Sequence, residues 1–311
     1  MLAPFIRPRT DMHVPMIAYI RRLENERTDP KFARFSDVVP VLYNHVEWDE
    51  GHPFCNGDHL GEASVFYFRA VGRATSMAQS LVDYAVKHDI KVADAYLLDG
   101  VTRRYKDSMA KTLLDADVAH PQTVATNRLM HVDDVIEQND IGYPCVLKFS
   151  KGGRRGLGTF FLSSKDSLES VSNELRRRYE ADEKGFANMG DWPWVVQEYI
   201  PNGGDYRAIV VGGECVGIVK RGKKDGLVLS SSDHGARRYK RGRWPRDVGR
   251  LAVHASNAMK VDIAGVDIVR HDVTGRLYII EVNECPAFNV FERRTKINVA
   301  ERIVSWLREL T

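Results

Sequence analysis

The sequence has few of the features that mark disulfide-linked, zinc-binding, membrane or secreted proteins. Its 311 residues include only four cysteines, and no two of them stand at CxxC or metal-finger spacing, which predicts reduced thiols. No apolar stretch approaches the roughly 20 residues that a membrane helix needs. The first residues lack the continuous apolar core of a signal peptide. These absences predict a cytoplasmic protein without a membrane partner.

The sequence also lacks a strong net charge and two familiar nucleotide-binding motifs. A formal charge of +3 is too small to indicate a polyanionic partner, so nucleic acid is an unfavoured ligand. Neither a Walker A loop nor a GxGxxG turn after a strand occurs, which argues against P-loop enzymes and dinucleotide dehydrogenases. With 43% hydrophobic and 28% charged residues, the composition is that of a folded globular protein.

Strand and helix patterns alternate along most of the chain, which predicts an α/β (α+β) protein. Residues 1–60 give little pattern beyond a short buried strand at 38–43. Strand 63–68, a helix that starts before residue 77 and a strand at 90–98 predict a small α/β unit. Later segments predict helices at 106–117, 165–181, 247–260 and 296–309, strands at 143–149, 159–164, 194–200, 264–270 and 277–283, and a hairpin at 206–221 with Gly212 and Gly213 at its tip.

Three oxygen-bearing side chains near the C-terminal end predict a magnesium site. Glu281 and Asn283 are two residues apart on one strand and so share a face. If the preceding turn is centred on Thr274, Asp267 faces Glu281 across the hairpin. Carboxylate and amide oxygens are ligands that magnesium prefers. The alternative is that strand alternation simply exposes the three side chains to solvent.

A glycine-rich turn follows Lys148, the last charged residue of strand 143–149. Such a turn offers backbone N–H groups and can close over phosphates, with Lys148 as a fixed charge and Arg154 and Arg155 as mobile ones. A solvated hairpin is the alternative interpretation. The four glycines are Gly152, Gly153, Gly156 and Gly158.

Two further short motifs are weaker. Residues 197–200, with the sequence QEYI, end a strand, and such a linker can read the edge of an adenine. Asp205 and Arg207, two residues apart, face the same side of the next strand. A surface salt bridge between them is the alternative.

Taken in order, these motifs resemble the RimK-type branch of the ATP-grasp superfamily, whose members are carboxylate–amine ligases. The resemblance covers roughly residues 105–311. It implies an ATP-grasp fold with two α+β subdomains that grip ATP, at 105–194 and 195–311, preceded by a pre-grasp domain at 1–104. It also implies that ATP and Mg²⁺, or alternatively Mn²⁺, are the cofactors, and it allows a homodimer.

The resemblance also implies roles for individual residues. Phosphate contacts fall to Lys106 and Lys148, and the metal ligands are Asp267, Glu281 and Asn283. Arg207 and Arg221, with Lys148, are implied as the catalytic cations near the transferred phosphoryl group. The remaining nucleotide-binding residues implied are Gly153, Gly156, Gln197, Glu198, Ile200, Asp205 and Lys220.

The activity implied is amide or peptide bond formation through an acyl phosphate, with release of ADP and phosphate. An ATP-grasp kinase and a non-catalytic nucleotide-binding partner are the alternatives. Two positions depart from the family pattern: Ala287 stands where glycine usually follows the proline, and Ser232 stands near an expected asparagine. His234 is a weak candidate for a general base. The segment 220–243 carries nine Lys and Arg residues, which suits an acidic substrate or a solvated loop.

Overall fold

A computed structural model describes residues 16–22, 28–72, 74–100, 105–150, 158–181, 193–223 and 244–311. The strands are β1 (Met16–Arg21), β2 (Val38–Leu42), β3 (Val46–Asp49), β4 (His52–Cys55), β5 (Asp58–His59), β6 (Ala63–Arg69), β7 (Lys91–Val92), β8 (Thr123–Thr126), β9 (Cys145–Phe149), β10 (Thr159–Leu162), β11 (Trp194–Glu198), β12 (Gly204–Val211), β13 (Glu214–Gly222), β14 (Ile263–Arg270) and β15 (Leu277–Asn283). The α-helices are α1 (Asp29–Ala33), α2 (Thr75–Lys87), α3 (Lys106–Asp115), α4 (Val132–Gln138), α5 (Lys165–Glu180), α6 (Arg246–Ala258), α7 (Asn289–Thr295) and α8 (Val299–Glu309). The mixed α/β class predicted from the sequence is confirmed.

The N-terminal unit is a parallel sheet with the strand order β2-β1-β6-β7. Strand β1 is central and almost wholly buried, yet the sequence pattern did not reveal it. The strand predicted at 90–98 is wrong for most of its length, because only Lys91 and Val92 are extended and a 3₁₀ helix begins at Ala95. Asp94 between them has φ of 67°, and this left-handed conformation ends the strand.

The middle sheet is antiparallel, with the order β10-β9-β11-β8. Helices α4 and α5 cover it and form a separate core with residues such as Leu147, Leu175 and Trp194. Because β11 belongs to this sheet, the subdomain boundary predicted at 194/195 falls inside a strand. Residues 195–198 pair with β8 and β9 of the middle sheet, and the domain boundaries stay a prediction.

The C-terminal sheet has the order β13-β12-β14-β15, and the hairpin predicted around Gly212 and Gly213 is confirmed. Its core is continuous with that of the N-terminal sheet, since Phe66 and Val266 belong to one buried cluster. Helix α8 completes a second shared cluster on the other face. None of the described helices is long and apolar enough to cross a membrane.

Candidate nucleotide and metal site

Asp267 on β14 and Glu281 on β15 are direct register partners, so the predicted pairing of the two residues is confirmed. The reason is more specific than a turn centred on Thr274. Closer to the turn, Ile268 pairs with Ile279, and the register then shifts by one residue between Asp267 and Ile268. Without this irregularity Asp267 would face Ile280, and the carboxylates would not be opposite each other.

Asp267 is held by two arginines from neighbouring strands. Its Oδ2 forms an ion pair with Arg207 Nη1 at 2.9 Å, and its Oδ1 accepts a hydrogen bond from Arg221 Nη2 at 2.7 Å. Arg221 also donates from Nε to Asp205 Oδ1 at 3.0 Å. All four side chains are at most 16% exposed. A surface salt bridge between Asp205 and Arg207 is therefore wrong, since each pairs across strands inside the molecule.

Gly265, next to this network on β14, makes room for it. A Cβ at Gly265 would lie 2.8 Å from the guanidinium carbon of Arg207 and 2.7 Å from Cβ of Pro286. Its carbonyl oxygen accepts from Nδ2 of Asn283 at 3.4 Å, which leaves Oδ1 of that amide as the acceptor available to a ligand. The sequence analysis gave Gly265 no role, although a glycine within a strand often marks close approach.

Lys148 on β9 is a buried lysine, 8% exposed. Its Nζ donates to Oε1 of Gln197 on β11 at 2.5 Å. Burial lowers the pKa of Lys148 to about 8; Glu281 and Asp267 act in the opposite direction, and Lys106 lowers it further. Lys148 therefore has a second lysine and the two carboxylates of the C-terminal sheet as its charged neighbours.

Lys106 lies near Lys148 because hydrogen bonds join the start of α3 to the end of β9. The backbone N–H of Lys106 donates to the carbonyl of Ser150 at 3.1 Å. Ser150 Oγ donates to Asp107 Oδ1 at 2.5 Å. The two predicted phosphate-contacting lysines are thus brought together.

His120, which the sequence analysis did not single out, completes a network around Gln197. Its Nδ1 lies 2.7 Å from the carbonyl oxygen of Pro121, and its Nε2 lies 3.4 Å from Nε2 of Gln197. Because Gln197 Oε1 accepts from Lys148, the amide nitrogen faces His120 and Thr123 and donates to them. His120 Nε2 is then an acceptor on a neutral ring. Burial and the charge of Lys148 lower the pKa of His120 to about 4.

The remaining predicted residues differ in where they lie. Glu198 Oε2 accepts from the backbone N–H of Gln122 at 3.3 Å, and Ile200 is buried. Lys220 pairs with Tyr206 and stacks on its ring, so it lies on the opposite face of the sheet from Arg221 and Asp267. The structure does not bring Lys220 together with the others. Gly153, Gly156, Arg154, Arg155, Ser232 and His234 lie outside the described residues.

The described residues contain no group of three or more His, Cys, Asp or Glu side chains that could hold a metal ion. The candidate ligands are instead two carboxylates, Asp267 and Glu281, and the amide of Asn283. This oxygen set fits a Mg²⁺ ion that completes its shell with phosphate oxygens and water rather than a protein-only cage. The positive charges of Arg207 and Arg221 would offset the negative charges of Asp267 and of the phosphate oxygens around the ion.

Comparison with known proteins places most of the chain in one family. Residues 104–307 match the family model described as the RimK-like ATP-grasp domain. The ribosomal protein bS6–L-glutamate ligase of Escherichia coli (strain K12 / DH10B) is 28% identical over 250 residues, which are 80% of this chain and 74% of the relative. The probable alpha-L-glutamate ligase of Citrobacter koseri is similar to the same extent.

Solved structures agree at the level of the fold. The RimK domain protein ATP-grasp from Sphaerobacter thermophilus superimposes with a TM-score of 0.62 at 18% identity, covering 94% of this chain and 98% of that one. The ATP-grasp ligase PsnB, complexed with a phosphomimetic variant of its minimal precursor, Mg and ADP, gives 0.68 at 16% identity over 96% of this chain and 99% of that one. The predicted ATP-grasp fold is confirmed.

Proposed function

The chain belongs to the RimK-like ATP-grasp family, and we propose that it is an ATP-dependent carboxylate–amine ligase. The acid substrate is activated between β9 and the β14–β15 hairpin. The observation that carries the proposal is the position of Lys148. A buried lysine with a lowered pKa has Lys106, Glu281 and Asp267 as its charged neighbours. Such perturbed groups in a cleft are typical of functional sites.

The reaction proceeds in two balanced steps. An oxygen of the acid's carboxylate attacks the γ-phosphorus of ATP, an O–P bond forms, and ADP leaves. The uncharged amine then attacks the acyl carbon, a C–N bond forms, phosphate leaves with the electron pair of the C–O bond, and the nitrogen releases a proton to water. The first step converts a poor electrophile into a reactive one, which is why ATP is consumed.

The chain's own residues supply charge and position for these steps. Lys148 and Lys106 contact phosphate oxygens, and Gln197 keeps Lys148 oriented. Arg207 and Arg221 face the transferred phosphoryl group and the oxyanion that develops at the acyl carbon. Bound magnesium offsets negative charge on the phosphates, and Asp267, Glu281 and Asn283 would hold it.

Nucleotide recognition uses the segment that joins the middle and C-terminal units. The backbone around Glu198 and Ile200 would contact the adenine. Asp205, whose carboxylate accepts a hydrogen bond from Arg221, would contact the ribose. Gly153 and Gly156 are proposed to close over the phosphates. Lys220 is left out of this set because of the face on which it lies.

The relatives support an amino acid or peptide as substrate, since one of them is named for joining L-glutamate to a ribosomal protein. We further propose that Mn²⁺ supports the reaction when it is supplied in place of Mg²⁺, because both ions accept octahedral oxygen ligands. A cytoplasmic location and a homodimer stay proposals of the sequence analysis.

The test is a screen for ADP formation with pairs of acids and amines, followed by mass spectrometry of the products. A ligase releases ADP and forms an amide only when both partners are present. ADP release with a phosphorylated acid or alcohol as the final product would instead indicate the kinase alternative. Lys111→Met, on the exposed face of α3, serves as the control for Lys148→Met.

A further inference from the structure

Arg69, the last residue of β6, is a buried arginine whose hydrogen bonds go to neutral oxygens. It is 6% exposed, and it donates to the hydroxyl of Tyr67 at 3.3 Å and to the carbonyl of Pro286 at 2.7 Å. None of the ion pairs between described residues includes Arg69. Burial of a cation without a carboxylate partner costs free energy, and proteins break such rules mainly at functional sites.

Arg69 contacts the loop that follows β15 at two points. Besides the hydrogen bond to the Pro286 carbonyl, its guanidinium lies 5.1 Å from the centroid of the Phe288 ring. Pro286 and Phe288 are both buried. Asn283, a candidate metal ligand, stands directly before this loop as the last residue of β15. A residue of the N-terminal unit thus fixes the course of the chain immediately after a candidate ligand of the C-terminal sheet.

The same loop contacts the candidate catalytic cluster. Cβ of Pro286 and the guanidinium carbon of Arg207 pack over Gly265, at 2.7 and 2.8 Å from the position that a Cβ would take there. Arg207 in turn forms an ion pair with Asp267 at 2.9 Å. Because these groups are closely packed, a displacement of Pro286 would leave Arg207 free to move beside a candidate metal ligand.

Arg21 provides an internal comparison, because it is the register partner of Arg69 at the same edge of the sheet. It is 7% exposed. It forms an ion pair with Asp29 at 2.6 Å and donates to the carbonyl of Val41 at 3.4 Å. Both of these partners belong to the N-terminal unit. Two equally buried arginines therefore differ in what they contact: Arg21 stabilises its own unit, whereas Arg69 reaches the loop of the C-terminal sheet.

We propose that Arg69 is a positioning residue of the metal site. Through Pro286 it keeps Arg207 beside Asp267, and it fixes the end of the strand that carries Asn283. This role rests on the proposed function, in which the cluster binds Mg²⁺ together with the nucleotide phosphates. Groups that orient metal ligands without touching the ion typically contribute about 10-fold to 100-fold to metal affinity.

Calorimetric titration of the full chain with a non-hydrolysable ATP analogue, with and without Mg²⁺, tests this role. The ratio of the dissociation constant without Mg²⁺ to that with Mg²⁺ measures how much the metal adds to nucleotide affinity. Arg69→Met removes the hydrogen-bond donors. We expect this ratio to fall about tenfold, while the affinity without Mg²⁺ stays within about twofold of that of the wild type. Arg69→Lys, which keeps a donor for the Pro286 carbonyl, should recover most of the ratio.

Arg21→Met is the matched control, because it removes an equally buried arginine from the same edge of the sheet. It should lower the melting temperature and leave the Mg²⁺-dependent ratio unchanged. An equal fall of the ratio in Arg21→Met and Arg69→Met would overturn the proposal. So would a correctly folded Arg69→Met protein with the wild-type ratio, or equal losses in Arg69→Met and Arg69→Lys.

Variants of Pro286 give an independent readout should Arg69→Met not fold. Pro286→Ala keeps the Cβ that packs beside Arg207, whereas Pro286→Gly removes it. We expect the ratio to fall in Pro286→Gly and to stay near the wild-type value in Pro286→Ala. Combining Arg69→Met with Pro286→Gly should lower the ratio no further than either change alone, because both act on one contact. Additive losses would overturn the proposal.

The binding assay is independent of turnover. If no acid and amine are joined while the ratio still depends on Arg69, the proposed function fails and the positioning role stands. If ADP and an amide form but the ratio does not depend on Arg69, only the positioning role fails.

Discussion

Nζ of Lys148 donates a hydrogen bond to Oε1 of Gln197 on the neighbouring strand, at 2.5 Å. The contact fixes the lysine and, through the other end of the amide, reaches His120 and Thr123. The residue proposed to contact phosphate and a residue proposed for the adenine linker are thereby parts of one buried network. The charge of Lys148 depends on pH because burial lowers its pKa to about 8.

We expect the activity with ATP to decline as pH rises through about 8. Lys148 loses its proton there, and with it the charge that attracts phosphate oxygens. The decline should appear in kcat/KM for ATP, which reports ionisations of the free enzyme. Initial rates of ADP formation between neutral and alkaline pH measure it.

Lys148→Arg provides the control, because arginine keeps its charge throughout this range. The variant should be less active at neutral pH and should lack the alkaline decline. An identical decline in both enzymes would assign the ionisation to another group.

His120→Leu should disturb Lys148 without touching the nucleotide. Loss of the acceptor at Nε2 leaves Thr123 as the remaining acceptor of the Gln197 amide nitrogen and loosens the amide, so we expect KM for ATP to rise about tenfold and the alkaline pKa in kcat/KM to shift. His120→Gln, whose Oε1 can accept from the same amide, should recover most of the affinity. Equal effects of both variants would indicate a packing role only.

His120 should also make the protein sensitive to acid. Its pKa is lowered on folding from 6.5 to about 4, so the unfolded chain binds more protons between these values. Stability is therefore present above pH 6.5 and lost as pH falls to about 4, by roughly 3 kcal/mol. Urea unfolding of the wild type and His120→Gln at several pH values measures this, and parallel curves would contradict it.

Gly265→Ala should reduce activity on the order of 100-fold, because small displacements of catalytic groups are costly. The added Cβ would collide with Arg207 at 2.8 Å and with Pro286 at 2.7 Å. Steady-state kinetics and a melting curve separate the effects. Gly249→Ala in helix α6, whose added Cβ would meet Cys215 at 3.7 Å and Ile218 at 3.9 Å, should keep normal activity.

Asp94→Asn should flatten the pH dependence of stability between about pH 4 and pH 8. Burial raises the pKa of Asp94 to about 8, and Asp262 and Glu284 add to this. A folded-state pKa above the unfolded value of 3.8 means that stability is full below about pH 4 and is lost as pH rises to about 8. At pH 8 the variant should be more stable by roughly 1 to 3 kcal/mol.

The neutral amide also removes the charge from Oδ2, which has no hydrogen-bond partner. The Oδ1 acceptor for the backbone of Ile263 is retained. Denaturant unfolding at pH 5 and pH 8 provides the comparison. A variant that is less stable than the wild type at pH 8 would show that the carboxylate itself is required.

The sequence sufficed for elements with a strong period or a strong turn signal. The hairpin at Gly212 and Gly213 has the turn signal and helix α8 has the helical period, and both elements were predicted. Strand β1 was missed because its apolar residues lie between basic stretches that give no alternation. Helix α7 was missed because it is short, and its burial depends on contacts with the N-terminal unit.

The candidate site was predictable only as far as motifs and spacing reach. Asp267 and Glu281 were predicted from their positions on two neighbouring strands, and Lys148 was predicted from its place before the glycine-rich turn. His120 and Gly265 contact residues distant in the chain, and no local spacing signals such contacts. The register irregularity beside Asp267 likewise depends on the folded sheet.

The central claim is that Asp267 and Glu281 hold the metal that ATP-dependent ligation requires, and Glu281→Gln tests it most directly. Glutamine keeps the shape of the side chain and removes one negative charge from the ligand set. We measure ADP formation against Mg²⁺ concentration, with acid and amine both present, alongside melting curves. We expect a loss of at least roughly 100-fold in kcat/KM, a higher Mg²⁺ requirement and an unchanged fold. The claim would be contradicted by a correctly folded Glu281→Gln enzyme that keeps more than about a tenth of wild-type activity at the same Mg²⁺ concentration. Such an enzyme would have lost less than about 1.4 kcal/mol of transition-state stabilisation.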